Sequence, residues 1–239
     1  MPENNRSRGQ GRVNAQLFWG VVGVLSQLVF TCGWLITQTW QGPAYSTIKN
    51  SISDMQAATA PHAWFPIACF AAGALGTFGF VLFGLRPSLK AADKEGAHAP
   101  WMVGIGVLLL GNSFPQIPCR LSDTGCTATT QLLGPGGLAD AILATVGFLA
   151  LIAAPGPMWQ RMAVLPEWAR MKPIMLAARV SLPTAYGFLA LAYGVNMWQG
   201  LAERILVTAC MVWLACLAGY VVALSKRRRP QPPLPTGCK

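Results

Sequence analysis

Three carboxylic acids stand out by their surroundings. Asp140 sits in GLADAILATVGFLAL, a stretch with no other charge. A lone charge in hydrocarbon is costly, so such a group is expected to be protonated, to pair with a base such as Arg120 or Arg204, or to face a wet cavity. Asp54 lies in the long connection after the first apolar run, and Glu203 stands just before the last. A carboxylic acid that keeps its proton in a water-poor site can hand it to a substrate, and aromatic faces can stabilise the cation that forms. The candidate catalytic set is therefore Asp140, Asp54 and Glu203. The chemistry it fits most sharply is acid-initiated cyclisation of an isoprenoid, an isomerisation. Trp34, Trp40, Trp64, Phe114 and Tyr186 are candidate walls, and Tyr45, His62, Arg120 and Arg204 are candidate contacts to the substrate.

The same residues also fit a non-catalytic binder of membrane lipid, or an accessory protein of the cell envelope, with Arg120 and Arg204 holding a head group. A transporter is a third reading, in which Pro66 and Pro183 locally open their helices. Glu203 and Arg204 adjoin at the start of an apolar run, where anchoring of a helix end is a better account than chemistry. Cys119 and Cys126 share one loop, and the sequence allows them either as a disulfide in an oxidising compartment or as free thiols. Other chemistry finds no support. HExxH, GxSxG and GxxxxGK[ST] are absent. The two histidines, His62 and His98, fall on opposite predicted sides, so no metal centre and no cofactor are expected.

These residues hang on an unusual framework. The chain is 53% hydrophobic and only 11% charged, against about 25% charged for a soluble domain. Its apolar residues fall in runs of the length that crosses about 30 Å of hydrocarbon. Six spans are predicted: Leu17 to Trp40, Ala63 to Leu85, Trp101 to Pro115, Gly137 to Ala154, Pro173 to Val195 and Ile205 to Leu224. The expected fold is all-α, a polytopic membrane bundle of about six transmembrane helices. Residues 1–16 form a basic tail, 17–224 the transmembrane domain, and 225–239 a basic, Pro-rich tail. The net charge of +10 does not point to nucleic acid, because the basic residues flank the apolar runs. With six spans, fourteen of the eighteen Lys and Arg share a side with both termini. Only Lys49, Arg120 and Arg204 lie on the other, and Arg179 falls within the fifth span. That asymmetry places both termini in the cytoplasm of a multi-pass cell-membrane protein. The expected partner is a membrane lipid or an isoprenoid-like small molecule.

The long connections on the far side carry ordered motifs. Tyr45-Ser-Thr-Ile-Lys-Asn-Ser-Ile-Ser-Asp54 follows the first span, and Gly111-Asn-Ser-Phe-Pro115 ends the third. A Gly-rich segment from Gly134 to Asp140 opens the fourth, and Gly200-Leu-Ala-Glu-Arg204, followed by Trp213, leads into the sixth. In this order they resemble the bacterial six-helix membrane proteins grouped as domain of unknown function 998, from about Leu17 to Leu224. The resemblance implies fold and topology, and no activity. It also implies an acid soon after the Phe-Pro pair, where this chain has Gln116, Ile117 and Pro118. Near the start of helix four it implies a histidine, and Asp140 occupies that place. A family site built on those two groups would have altered chemistry here.

Overall fold

The computed structural model describes residues 3–89, 97–111 and 116–228, with side chains from residue 10 onward. Every regular element among them is helical. The six principal helices are α1 (Glu3–Thr37), α2 (Trp64–Phe80), α3 (Ala99–Leu110), α4 (Gly137–Ala153), α5 (Lys172–Gly194) and α6 (Gln199–Arg227). In hydrocarbon no backbone N–H or C=O can go unpaired, so apolar runs of this length form helices. Five helical segments are long and apolar enough to cross a membrane. They are Gln10–Trp40, Trp64–Ser88, Gly137–Ala163, Pro166–Gly194 and Gln199–Arg227. The predicted third span appears as the shorter apolar helix α3, and its last four residues, 112–115, lie outside the described residues.

Helix boundaries follow local chemistry. Pro100 and Pro173 sit in the first turns of α3 and α5, where a missing N–H costs nothing. Gly136, at φ 84°, takes the left-handed conformation that stops the preceding turn and lets α4 begin. The helical conformation of α1 reaches back to Glu3, well into the segment expected to be a tail.

Neighbouring helices form a ring. α4 packs on α3, α3 on α2, α2 on α1, α1 on α6 and α6 on α5. Small residues allow the close approaches: a Cβ on Gly106 of α3 would lie 2.9 Å from the carbonyl oxygen of Gly147 on α4. The last junction, between α4 and α5, is sparse. At one end, here called inner, the segment Pro155–Ala163 packs on α5, and Met158, Met162, Trp168, Met171 and Met175 are buried there. At the opposite end, here called outer, no comparable helix fills it among the described residues. This seam is therefore filled at its inner end and open at its outer end.

Candidate functional site

The outer ends of the helices are covered by the two long connections, and buried polar side chains bind them down. Arg204, in the second turn of α6, is 8% exposed. Its Nη1 donates to the carbonyls of Thr47, Asn50 and Gly200, each at 2.8 Å, and its Nη2 to the Tyr45 hydroxyl at 2.6 Å. Tyr45 in turn donates to the Ser51 carbonyl. Burial, against the opposing pull of Arg204, pushes the Tyr45 phenol up to about 12, so it stays protonated and keeps both bonds. The loop lies directly on α6. A Cβ on Gly200 would be 2.1 Å from the Asn50 carbonyl oxygen, and Leu201 N donates to the Ile48 carbonyl. Only glycine permits that approach.

Asp54 is the second fastening, and it is completely buried. Its Oδ2 accepts from Asn50 Nδ2 and Ser51 N, both at 3.2 Å. Its Oδ1 accepts from Leu121 N at 3.2 Å and Gln131 Nε2 at 2.7 Å. One carboxylate therefore ties the first connection to the second. Farther out, Arg120 pairs with Asp123 at 2.6 Å and donates to the Gln41 carbonyl. Desolvation opposes ionisation of Asp123, but hydrogen bonds from Thr59 and from Arg120 outweigh it and hold the carboxyl below the usual range. Cys119 and Cys126 are joined as a disulfide across this same turn.

Beneath this cap, in the outer seam between α4 and α5, lies a cleft of about 460 Å³. That is the size of a small-molecule site. Gly137, Asp140, Ala144 and Phe148 of α4 form one wall, and Tyr186, Leu189 and Tyr193 of α5 form the other. Glu203 of α6 forms part of the lining, and Ile117, Leu121 and Gln131 belong to the covering connection. Thr145 and Ala190 also line the cleft and are exposed where the two helices part. A smaller void of about 40 Å³ adjoins it, with Asp140, Glu203 and Phe148 common to both. A wider outer hollow of about 640 Å³ shares Leu121, Ala128, Asn196 and Gln199 with the cleft.

The two acids reach the cleft by different routes. Asp140 stands in the first turn of α4, directly after a tight reversal. A Cβ on Gly137 would lie 1.8 Å from the Gln131 carbonyl oxygen, which folds the short helix Ala128–Leu133 down over the start of α4. The side chain of Asp140 makes no hydrogen bond or ion pair among the described residues. Glu203 is 8% exposed, and its Oε2 accepts from Ile52 N at 2.8 Å. Its other oxygen has no such partner among the described residues. Two carboxyls thus face one cavity, and no Lys, Arg or His among the described residues lines it.

The family model described as Protein of unknown function (DUF998) matches residues 21–220. The chain belongs to this family. No curated protein and no solved structure matches it.

Within this DUF998 chain, the motif residues converge although they are scattered along the sequence. Tyr45, Asp54, Gly200, Glu203 and Arg204 form one continuous cap, with Asp140 below it. Of the candidate site residues, Asp140, Glu203 and Tyr186 line the cleft. Asp54 does not line it; all four of the hydrogen bonds its carboxylate accepts come from the cap. Arg120 and Arg204 are likewise held by loop groups rather than by Asp140. His62 and Trp64 lie on the outer rim, where His62 meets the Trp40 ring at 5.5 Å and Trp64 is exposed. Trp34 is buried under the Arg204 guanidinium, 5.8 Å from its ring centroid. Phe114 lies outside the described residues. Phe148, Tyr193 and Gln131 are site residues that the sequence does not single out. Phe148 and Tyr193 carry no signal beyond ordinary helix residues, while Gln131, a lone amide in TTQLLGPGG, is a signal of a loop-to-helix contact.

Proposed function

We propose that this integral membrane protein takes a hydrophobic small molecule sideways from the bilayer into the outer cleft and acts on it by acid chemistry. In the sharpest form of this reading it is an isoprenoid cyclase. The observation that carries the reading is the pair of carboxyls, Asp140 and Glu203, facing a largely apolar cavity that no base among the described residues lines. A carboxyl with no cation to pair with keeps its proton and so has one to donate, and a water-poor site makes that proton effective. Asp140 protonates a terminal alkene carbon, and the neighbouring double bond closes the ring by attack on the cation. The final carbocation returns a proton to a carboxylate. The product is an isomer of unchanged mass. Phe148, Tyr186 and Tyr193 stand where aromatic faces would meet the cation. The excess of basic residues on the other face orients both termini to the cytoplasm, so the cleft belongs to the outer leaflet.

The test is mass spectrometry of hydrophobic metabolites from isoprenoid-fed cells that make the wild type, Asp140→Asn, or neither. A new isomer found only with the wild type is the expected result. No difference among the three, with the protein folded in the membrane, removes the catalytic reading. A non-catalytic lipid-binding role then stands in its place. What favours this second reading is that most motif residues are spent on architecture. A lipid that co-purifies equally with wild type and Asp140→Asn is its signature.

A further inference from the structure

The cleft's polar groups are unevenly matched. Asp140 is unpartnered among the described residues, and Glu203, nine-tenths buried, keeps one oxygen free. Of the donors that line the cleft, the side-chain amide nitrogens of Gln131 and Gln199 are engaged elsewhere, and the hydroxyls of Ser53, Tyr186 and Tyr193 carry no charge to offset an anion. The Gln131 amide nitrogen donates to Asp54 Oδ1 and to the Cys119 carbonyl. Gln199 Nε2 donates to Asn196 Oδ1. The outer cations are equally unavailable. Arg120 is bound to Asp123 and Gln41, and Arg204 to three carbonyls and Tyr45. Lys49 lines only the outer hollow, above the cleft. A negatively charged head entering here would meet two carboxyls and no compensating charge, and buried charges without partners are the most costly arrangement a site can hold.

We infer that the molecule taken into this cleft has a hydrogen-bond-donating head without negative charge, an alcohol or an amine, and that phosphate, diphosphate and carboxylate heads are rejected. The inference rests on the reading of the cleft as a binding site for a hydrophobic molecule, and it narrows that reading to one class of head group. An alcohol donates one hydrogen bond to Asp140 or Glu203. An amine donates more and adds charge complementarity. The tail occupies the space between Phe148, Leu189 and Tyr186.

Three probes with the same isoprenoid chain separate the cases: farnesol, farnesylamine and farnesyl diphosphate. Equilibrium binding to the full-length protein in lipid nanodiscs is measured for each. The alcohol or the amine is expected to bind about tenfold or more tightly than the diphosphate, the scale set by burying a phosphate charge with no cation to pair it. Which of the two leads tells whether the carboxyls act as neutral partners or as counter-ions. Asp140→Asn and Glu203→Gln each keep the shape of the side chain, and the amide introduced by Glu203→Gln retains a carbonyl oxygen to accept from Ile52 N. Both are expected to narrow the gap, chiefly by weakening the amine. Diphosphate binding equal to that of the alcohol, a preference untouched by both variants, or no binding of any probe would each overturn the inference. Selective binding without an isomeric product leaves the head-group inference standing and removes the catalytic one. Turnover of a diphosphate does the reverse.

Discussion

Replacing Asp54 by Asn changes a single atom, and the geometry gives its cost. In the wild type each carboxylate oxygen accepts two N–H groups: Asn50 and Ser51 on one, Leu121 and Gln131 on the other. An amide can keep only one of these oxygens. The side chain must place its NH₂ against two donors, losing both bonds and leaving those donors buried and unmatched. Hydrogen bonds to a charged group contribute about 1.5–3 kcal/mol each. Two lost bonds therefore come to about 3–6 kcal/mol, partly relieved by small shifts in the loop. For a chain of this size that amounts to a fall in apparent melting temperature on the order of 10 °C. The assay is thermal denaturation in detergent, followed by size exclusion of the surviving fraction, with Asp140→Asn as the companion. Asp140 has no partner to lose among the described residues, so its variant is expected to melt at or above the wild-type temperature. If Asp54→Asn melts no lower than wild type, Asp54 does not hold the cap, and its separation from the chemistry loses its main support.

Three further outcomes follow from the same cap. Arg204→Lys keeps the charge but replaces a planar fork that serves three carbonyls and Tyr45. It is expected to cost about 2 kcal/mol by thermal denaturation, whereas Tyr45→Phe costs about 1 kcal/mol. Gly200→Ala drives a methyl group into the Asn50 carbonyl and forces the loop off α6. The expected loss is about 1–3 kcal/mol, with faster hydrogen exchange at the Ile48 to Asn50 amides as the diagnostic. Asp123 is held below the usual carboxylate range in the folded protein. Its contribution is therefore fully present above its unfolded value of about 3.9 and is lost as pH falls through the lower folded value. Proteolysis of the outer connection is expected to quicken only below about pH 4. Asp123→Asn would show the faster rate at neutral pH, with no such step.

The sequence alone determined the class and the apolar helices because both depend on local quantities. Run lengths, charge content and the distribution of Lys and Arg need no knowledge of contacts, and the bilayer converts them directly into helices and an orientation bias. The motif order was enough to recognise the family. The acid in α4 was also legible, since an isolated charge in an apolar run is conspicuous wherever the run packs. Tertiary structure decided which acids share a cavity. Asp54 and Glu203 look alike in the sequence, each a carboxyl in a segment that connects apolar runs on the same predicted side. One is consumed by four N–H groups from residues up to 77 positions away, and the other keeps an oxygen free beside Asp140. The aromatic lining was equally hidden. The conspicuous tryptophans Trp34, Trp40 and Trp64 lie under a guanidinium or on the outer rim, while Phe148 and Tyr193 came to the cleft only because α4 and α5 fail to close. That failure is a property of how six helices pack in a ring, and no single helix carries it.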